Sequence, residues 1–381
     1  MSFLKSILVK YSRLFAKIEP KLDVIKYYQD DIKHLKSQKD KINSVVWTES
    51  QQKEFDDFWK TNYGETIPSG GSKLFEYISG NYNSRYIPGY FYRVAVEPFF
   101  NPYNESFIYE YKGNYEFLFG GIDGVRFPKT IVSCMNRYYR IGNDVVSKKD
   151  VLQICRNIGE TIIKPSKWSG AGRNVSCINI IDGVDTITGK SLEEILSYYN
   201  NDFVIQERII NSDTMRKLSP NALSTFRVTS YLFNGEVYVC PIGMRMGVND
   251  SVVDNLCAGG IVVGVHDNGV LYEKAHTYSQ TGYVSYEKHP VSGIAFSNYY
   301  IGEVSKLIEA AKSLHSHITS IGIVSWDLTF DDNNEVVMIE ANLLNQGTDF
   351  SQFATGEGMF RENTAGILAT LPKKKFNKAR I

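Results

Sequence analysis

Cysteine is scarce in this chain, and none of it stands in a pattern that binds zinc or builds a disulfide framework. The five cysteines, at positions 134, 155, 177, 240 and 257, are scattered and odd in number, and no two form a Cys-x-x-Cys pair. Paired spacings are typical of zinc sites and of disulfide-rich scaffolds, so the sequence indicates neither a zinc-binding domain nor a disulfide framework. We expect a chain that folds in a reducing cytoplasm.

Net charge and long apolar runs are missing as well. The 42 lysines and arginines balance 42 aspartates and glutamates, which gives no support for binding to nucleic acid. No apolar run reaches the length of a transmembrane helix, and no short apolar stretch is followed by a small-residue cleavage site. What remains is an ordinary globular composition, 43% apolar and 22% charged, in a chain long enough for two or three subdomains.

The chain has no Walker loop, yet a lysine and glycines occur in another arrangement that suits phosphate. A β-branched stretch, 161–163, precedes Lys164, and Ser169, Gly170 and Gly172 follow in a loop before a second predicted strand. A lysine ammonium is a compact charge suited to phosphate oxygens, and glycine lets backbone N–H groups approach a phosphate closely. The alternative is a flexible hairpin with an exposed lysine.

Residues 325–342 organise the rest of the sequence, because they are typical of a β-hairpin with oxygen ligands on one face. Residues 331–334, Asp-Asp-Asn-Asn, favour a turn between two strands. Side chains alternate across a strand, so Glu340 and Asn342 share a face and Asp327 lies opposite them. Two carboxylates and a carboxamide are hard oxygen ligands that suit Mg²⁺. The alternative is a solvated acidic hairpin, but Glu340 follows an apolar run and therefore emerges from a buried strand.

Two arginines are further candidates for binding an anion. Arg227 lies before the turn signal Asn234-Gly235, and Arg245 lies after it, so both belong to a second predicted hairpin. The planar fork of arginine suits phosphate or carboxylate, and surface ion pairs are the alternative. A loop with paired glycines and a His-Pro pair follow, which contain Asn255, Gly259, Gly260 and His289.

These motifs, in this order, resemble those of an ATP-grasp protein. The magnesium triad of ATP-grasp ligases has the pattern Asp-x12-Glu-x-Asn, which Asp327, Glu340 and Asn342 match here. A Thr-x-Arg-x-Thr around Arg227, an Asn before Gly-Gly, a His-Pro and a Trp-Asp narrow the resemblance to the sugar-transfer-associated ATP-grasp family, over roughly residues 110–360. The resemblance implies an α+β fold in which two α+β subdomains clasp ATP, here with a helical N-terminal extension.

The resemblance also implies a site for ATP and magnesium, with one or two metal ions and manganese as a substitute. The implied metal ligands are Asp327, Glu340 and Asn342, and the implied catalytic residues are Lys164, Arg227 and Arg245. The implied nucleotide-binding residues are Lys112, Lys164, Ser169, Gly170, Gly172, Gln206, Glu207 and Ile209. The implied acceptor-side residues are Asn255, Gly259, Gly260, His289 and Asn345.

Two positions depart from the family pattern. Lys112 lies in Tyr-Lys-Gly-Asn, where the family has a start similar to Asp-Lys-Asn-Leu. Ser325 stands where ligases similar to D-alanine–D-alanine ligase carry an arginine, so Arg245 or Arg227 would have to stabilise the transition-state charge.

The activity implied by the resemblance is ATP-dependent carboxylate–amine ligation through an acylphosphate. The family name suggests a glycan context, such as an amino acid or another amine joined to a uronic acid of a surface polysaccharide. No serine or cysteine with a partnered base is apparent, so the activated carboxyl has to be passed on as an acylphosphate. One alternative is a kinase that phosphorylates a sugar hydroxyl, with His289 or Asp349 as the base. Another is a non-catalytic ATP-binding protein, against which the intact metal ligands argue.

Five segments divide the chain in this interpretation. They are a helical extension (1–62), an aromatic-rich module (63–106), two ATP-grasp subdomains of which the second carries the metal site (107–203 and 204–372), and a basic tail (373–381). Within the module, the stretch 69–72, Ser-Gly-Gly-Ser, predicts a loop. Residues 2–18 favour an amphipathic helix. It either places this cytoplasmic protein on the inner face of a membrane or, as we expect, packs on the body of the protein or on a second copy.

Overall fold

Two antiparallel β-sheets and a helical N-terminal module form the fold. The computed structural model describes residues 24–167, 173–200, 202–248, 259–277, 282–347 and 349–376. The predicted helix 2–18, the loop residues Ser169, Gly170 and Gly172, and Asn255 lie outside these ranges. Among the residues described, no helix combines the length and the hydropathy needed to cross a bilayer.

The N-terminal module consists of helices up to residue 106. They are α1 (24–37), α2 (Lys39–Ser44), α3 (Glu49–Tyr63), α4 (Gly70–Ser79), α5 (Gly89–Phe91), α6 (Glu97–Phe100) and α7 (Tyr103–Ser106). A π-helical turn, Tyr92–Val96, joins α5 to α6. Helix α4 occupies the stretch where the sequence predicts a loop, so that prediction was wrong. A Cβ atom on Gly71 would lie 2.6 Å from Cβ of Pro88, which indicates that this glycine permits close packing of a helix rather than a turn.

The first sheet has seven strands in the order β3-β2-β1-β7-β4-β5-β6. The strands are β1 (Thr130–Met135), β2 (Tyr138–Ile141), β3 (Asp144–Val146), β4 (Gly159–Pro165), β5 (Ser176–Ile181), β6 (Val184–Asp185) and β7 (Asp202–Glu207). Helix α8 (Tyr115–Phe119) precedes the sheet, while α9 (Lys148–Ile154) and α10 (Leu192–Tyr199) contribute to its core. As predicted, Lys164 lies near the end of a strand, and β4 pairs with β7 beside it.

The second sheet has eight strands in the order β13-β12-β11-β10-β8-β14-β15, with β9 paired to β8 off this path. The strands are β8 (Thr225–Phe233), β9 (Glu236–Val239), β10 (Ile242–Met246), β11 (Ile261–Val265), β12 (Leu271–Thr277), β13 (Ser285–Tyr286), β14 (Ile323–Phe330) and β15 (Val336–Asn342). The accompanying helices are α11 (Asp213–Leu218), α12 (Val304–Ser316), α13 (Asp349–Thr355) and α14 (Thr364–Thr370). The hairpin predicted at Asn234-Gly235 joins β8 to β9, and Arg245 lies on the separate strand β10.

Both faces of the second sheet are covered by apolar side chains. On one face, Leu307 and Leu314 of α12 share a core with Phe226 and Trp326. The opposite face packs against the N-terminal module in a second core. This core contains Trp59, Tyr90 and Phe91 of the module together with Tyr231, Val262, Ile323 and Phe353. The module is therefore packed directly against the sheet that carries the predicted metal site.

The hairpin β14–β15 has the predicted turn and register. Asp331 Oδ1 accepts the backbone N–H of Asn333 at 3.0 Å, which closes an Asx turn, and also that of Glu335 at 2.8 Å. Asp327 lies directly opposite Glu340, as the alternation of side chains predicts. A β-bulge at Ile339, which the pattern does not show, follows immediately and shifts the register toward the turn.

Candidate active site

Asp327 lies on β14, the strand next to the edge strand β15, and its carboxylate contacts two arginines. The pairing of β14 with β8 puts Arg227 beside Asp327, and Arg245 reaches the same carboxylate from β10. Arg227 Nε is 2.6 Å from Asp327 Oδ1, and Arg245 Nη2 is 3.0 Å from Asp327 Oδ2. Burial acts to raise the pKa of Asp327, but the two guanidinium groups outweigh it and hold that pKa below its ordinary value. Asp327 is therefore an ionised carboxylate.

Lys112, Lys164 and Glu340 form a second charged group where the two sheets meet. Lys112 Nζ is 2.8 Å from Glu340 Oε1, and the backbone N–H of Lys112 donates to the carbonyl of Ser166 at 2.8 Å. Both lysines are buried, with 4% exposure for Lys112 and 7% for Lys164. Burial lowers the pKa of Lys164 to about 8, and the charge of Lys112 adds to the effect, while Glu340 opposes it.

The ammonium group of Lys164 makes no hydrogen bond or ion pair within the described part of the chain. A buried charge without a counter-charge costs free energy, so such groups are normally paired. The oxygens of a phosphate group would supply the missing counter-charge. The surroundings of Lys164 therefore fit an anionic ligand.

Gln206, one of the predicted nucleotide-binding residues, offers a buried hydrogen-bond acceptor. Its Nε2 donates to Thr130 Oγ1 at 3.1 Å, whereas its Oε1 is buried and has no partner among the described residues. Buried polar atoms in folded proteins nearly always have a hydrogen-bond partner. The exocyclic amino group of adenine would supply such a donor. Ile209, two residues beyond the end of β7, is buried with 8% exposure.

Arg126, which no sequence motif marks, joins the two sheets. Its guanidinium contacts Glu207 at the end of β7 and lies 2.7 Å from Asp331 Oδ2 in the turn of the hairpin β14–β15. Its backbone also bonds to β15, through Val336 and Met338, at 2.9 Å each. Glu207, one of the predicted nucleotide-binding residues, is thereby held by a cation that reaches from the other sheet.

Two carboxylates from the N-terminal half hold the chain just after Asn342. Glu110 accepts the backbone N–H groups of residues 343 and 344, and Glu97 accepts those of residues 345 and 346, at 2.9–3.1 Å. Burial raises the pKa of Glu97 to about 7. These hydrogen bonds fix the backbone of Asn345, while its side chain is exposed. No sequence motif marks Glu97 or Glu110 as an acceptor for these backbone N–H groups, because each is an isolated glutamate in an aromatic-rich stretch.

The other predicted acceptor-side residues lie in loops. His289 Nε2 is 3.2 Å from the carbonyl oxygen of Gly247, and its Nδ1 accepts backbone N–H groups of residues 291 and 292 at 3.3 Å. Burial lowers the pKa of His289, so the ring is neutral, its Nδ1 stabilises its own loop, and its Nε2 joins that loop to Gly247. Gly259 has a φ of 95° and precedes the buried Gly260 at the start of β11, a conformation that favours glycine.

The predicted magnesium ligands lie near one another on strands β14 and β15. Glu340 lies opposite Asp327, and Asn342 follows two residues later on the same face, with its Nδ2 donating to the carbonyl of Ser325 at 3.2 Å. Among the described residues, no group of three or more His, Cys, Asp or Glu side chains is arranged to hold a metal ion. Mg²⁺ commonly takes only one or two protein carboxylates and completes its shell with water and substrate phosphate.

The profile of one protein family, described as sugar-transfer associated ATP-grasp, matches residues 93–366. This span contains both sheets and all the candidate site residues. No curated protein matches the chain.

Solved structures of low identity also match. A D-Ala:D-Ser ligase, VanG from Enterococcus faecalis, is 12% identical, with 68% of this chain and 59% of that chain covered and a TM-score of 0.38. An L-amino acid ligase from Bacillus licheniformis is 12% identical, with coverage of 70% and 48% and a TM-score of 0.35. N5-carboxyaminoimidazole synthetase from Staphylococcus aureus, in complex with ADP, is 14% identical, with coverage of 65% and 49% and a TM-score of 0.35. The chain thus spans about half the length of these proteins.

Proposed function

Because the chain belongs to the sugar-transfer-associated ATP-grasp family, we propose that it is an ATP-dependent ligase that joins a carboxylate to an amine through an acylphosphate. The carboxylate would belong to a sugar or uronic acid of a surface polysaccharide, and the amine would be an amino acid or a related compound. The observation that carries this proposal is the buried group of Lys112, Lys164 and Glu340, which combines an unpaired cation with a carboxylate ligand.

In the proposed phosphoryl transfer, each of the charged and polar side chains has a separate role. Lys164 and Lys112 would bind phosphate oxygens of ATP, and Gln206 Oε1 would accept a hydrogen bond from adenine. Asp327, Glu340 and Asn342 would hold magnesium, which neutralises charge on the transferred phosphoryl group when it is bound. Arg227 and Arg245 would stabilise the γ-phosphate or the acyl oxygens, because the planar fork of a guanidinium suits phosphate and carboxylate.

Covalent catalysis by a protein nucleophile has little support among the described residues. Burial raises the pKa of all four described cysteines, and that of Cys155 reaches about 11. Two serine–histidine contacts do exist, contrary to the sequence prediction: Ser230 with His315 at 2.7 Å, and Ser285 with His276 at 3.0 Å. Burial lowers the pKa of both histidines to about 4, so each is a weak base for activating a serine.

Trapping with hydroxylamine tests the reaction type directly. Hydroxylamine attacks acylphosphates and converts them to hydroxamates. With ATP, Mg²⁺ and a panel of uronic acids, we expect hydroxamate and ADP in equal amounts without any amine acceptor. The Glu340→Gln variant is the control, because it removes a metal-ligand charge and should produce neither.

An ATP-grasp kinase is the second candidate, and one residue favours it. Asp349 has a pKa that burial raises to about 7, which suits a base that takes the proton of a sugar hydroxyl. His289 is a poorer candidate, since both of its nitrogens are already engaged. The kinase predicts a stable sugar phosphate in equal amount with ADP and no hydroxamate from any uronic acid in the panel. That result would replace the ligase proposal by the kinase proposal.

We propose a cytoplasmic location and a small-molecule or glycan acceptor for this enzyme. Contact of residues 2–18 with the inner face of a membrane, or with a second copy of the chain, stays a prediction because these residues lie outside the described ranges. Deletion of residues 1–20 separates the two cases. Release from anionic vesicles with full turnover would indicate a membrane surface helix, whereas a lower melting temperature or a smaller oligomer would indicate the packed helix that we expect.

A further inference from the structure

Strand β15 carries two of the three predicted magnesium ligands, Glu340 and Asn342, and it is the last strand of the second sheet. The strand order places β14 on one side of it and the end of the sheet on the other. An edge strand presents a row of backbone N–H and C=O groups that its own sheet does not pair. The placement of its side chains therefore depends on what contacts this second side, which we call the outer edge of β15.

The outer edge of β15 is covered by groups from a preceding part of the chain. Near the turn, Arg126 pairs with this edge through its backbone. Further along, the hydroxyl of Tyr115 accepts the backbone N–H of Ala341 at 3.1 Å. Oε1 of Glu110 then accepts the backbone N–H groups of residues 343 and 344, at 3.1 and 3.0 Å. Along this part of the edge, side chains take the place of a neighbouring strand.

The bonded N–H groups belong to the peptide planes that directly follow the two predicted ligands. A peptide group is planar, so its N–H and the α-carbon before it keep a fixed relation. The N–H of Ala341 lies in the plane that begins at Glu340, and the N–H of Leu343 lies in the plane that begins at Asn342. The backbone that orients each ligand is therefore held from outside the sheet.

The stretch 110–115, which supplies both acceptors, is itself held in place. Tyr115 is only 3% exposed, and its ring belongs to the core of the second sheet. Between the two acceptors lies Lys112, whose Nζ is 2.8 Å from Glu340 Oε1. The backbone N–H of Lys112 donates to the carbonyl of Ser166, the residue after β4, at 2.8 Å. One short stretch thus carries a predicted phosphate lysine and both groups that hold the outer edge of β15.

We propose that Tyr115 and Glu110 are positioning residues for the magnesium site, and that they hold Glu340 and Asn342 in the orientation in which both can bind the metal. This inference rests on the proposed function, and it adds two residues that act through the backbone of β15. Removal of groups that orient metal ligands typically lowers metal affinity or activity by roughly 10- to 100-fold. Loss of the Tyr115 hydroxyl should therefore affect the metal more than the nucleotide.

Nucleotide binding with and without magnesium tests this positioning separately from turnover. The probe is AMP-PNP, a non-hydrolysable ATP analogue, titrated calorimetrically into the full chain once in EDTA and once in Mg²⁺. The ratio of the two dissociation constants measures how much the metal strengthens binding. We expect Tyr115→Phe to leave the affinity in EDTA unchanged and to reduce this ratio about tenfold, the low end of the range for groups that orient metal ligands.

Two substitutions at Glu110 separate hydrogen bonding from charge. A single oxygen of Glu110 accepts both backbone N–H groups, and a glutamine keeps an oxygen that can do the same. Glu110→Ala should reduce the ratio as Tyr115→Phe does, whereas Glu110→Gln should stay close to the wild type. If Tyr115→Phe does not fold, the two Glu110 variants test the proposal without it.

Tyr82→Phe is the matched control, because the hydroxyl of Tyr82 donates to the carbonyl of Gln51 at 2.7 Å within the N-terminal module. It removes a hydrogen bond of the same kind and should leave the ratio unchanged. An unchanged ratio in folded Tyr115→Phe and Glu110→Ala variants, or an equal fall in Tyr82→Phe, would overturn the proposal while leaving the magnesium site intact. If Mg²⁺ does not strengthen AMP-PNP binding to the wild type, the proposed magnesium site is wrong and this proposal fails with it.

Discussion

Asp327 has two electrostatic functions at once. It is a ligand of the proposed magnesium site, and it is also the counter-charge of Arg227 and Arg245, each within 3.0 Å. From the sequence alone, a change at this position appears to affect only the metal. The buried ion pairs add a consequence for stability, because removal of one partner leaves the other charges uncompensated.

Asp327→Asn should abolish ATP turnover and also destabilise the protein. We expect a loss of about 3 kcal/mol in the free energy of unfolding, because two buried guanidinium groups lose their counter-charge. The pKa of Asp327 is held below its ordinary value, so its contribution is fully present above that value and is lost as the pH falls through the lowered one. The variant should therefore show a flatter decline in stability under acid conditions than the wild type. Urea unfolding at several pH values measures both effects.

Asp332→Asn is the matched control for this experiment, since it changes an exposed aspartate in the same hairpin. Its stability and turnover should equal those of the wild type. Normal ATP turnover by a folded Asp327→Asn variant at ordinary Mg²⁺ concentration would show that Asp327 is not a metal ligand.

The pKa of Lys164 predicts that ATP affinity depends on pH. Its pKa of about 8 means that part of the free protein carries a neutral lysine in mildly alkaline solution, and a bound phosphate would raise that pKa again. ATP binding should therefore take up protons, and the affinity should fall as the pH rises from about 7 to 9. Calorimetry in buffers of different ionisation enthalpy measures the proton uptake.

Lys164→Met should weaken ATP binding by about 1.5–3 kcal/mol and remove the proton uptake. Its melting temperature should stay the same or rise, because the variant no longer buries a cation without a partner. Lys148→Met, at an exposed ion pair with Glu193, is the control and should change neither quantity. Unchanged ATP affinity in Lys164→Met would show that this lysine does not contact the nucleotide.

At the scale of single elements, short-range patterns were the most informative part of the sequence. The turn of the hairpin β14–β15 and the placement of Asp327 opposite Glu340 could be predicted, because alternation and an Asx turn act within one stretch of chain, whereas the bulge at Ile339 could not. Arg227 and Arg245 were predicted as site residues, but their ion pairs with Asp327 could not be predicted, since these depend on the order of strands β14, β8 and β10 in the sheet. The helix at Gly71 was also missed, because the glycine is there for contact with Pro88, a residue distant in sequence.

Arg126 shows how an isolated residue can couple two elements. Arg126→Gln should loosen the end of β7, because its guanidinium joins Glu207 to the buried Asp331. We expect faster hydrogen exchange at residues 205–210 and a loss of about 1–3 kcal/mol in stability, the range for a buried acceptor that loses a charged donor. ATP should bind more weakly, since β7, the strand that carries Gln206, is less fixed. Exchange measured by mass spectrometry, together with ATP titration, checks this.

Arg208→Gln is the control, because Arg208 pairs with Glu160 within the first sheet only. Exchange at residues 205–210 and ATP affinity should remain close to the wild-type values. If Arg126→Gln and Arg208→Gln change hydrogen exchange and ATP affinity to the same extent, the contact that Arg126 makes between the two sheets does not contribute specifically to ATP binding.

At the scale of the whole molecule, the N-terminal module and the second sheet share one hydrophobic core, which the sequence did not indicate. Trp59 of the module belongs to the same core as Ile323 at the start of β14. Composition changes near residue 63 and again near residue 107, and such changes suggest separate units along the chain. Packing between distant segments leaves no local pattern, so this contact could only be found in the folded chain.

Asn101 is the polar part of that contact, and it leads to a prediction about cooperativity. Its Nδ2 donates to the carbonyls of Ile323 at 2.7 Å and Leu343 at 2.6 Å, and its Oδ1 accepts the N–H of Ile323 at 3.0 Å. Gln346 also donates to both carbonyls. Asn101→Ala therefore leaves one buried N–H without a partner, and we expect a loss of about 1–3 kcal/mol.

The module and the second sheet should unfold together, because their shared core and the Asn101 bonds make each depend on the other. Fluorine NMR of protein labelled with fluorotryptophan can follow Trp59 in the module and Trp326 in the sheet during a urea titration. We expect both signals to disappear at the same urea concentration, and Asn101→Ala to lower the two midpoints equally. Asn333→Ala, at an exposed turn position, should lower neither. Loss of the Trp59 signal at a clearly lower urea concentration than that of Trp326 would show that the module unfolds as a separate unit.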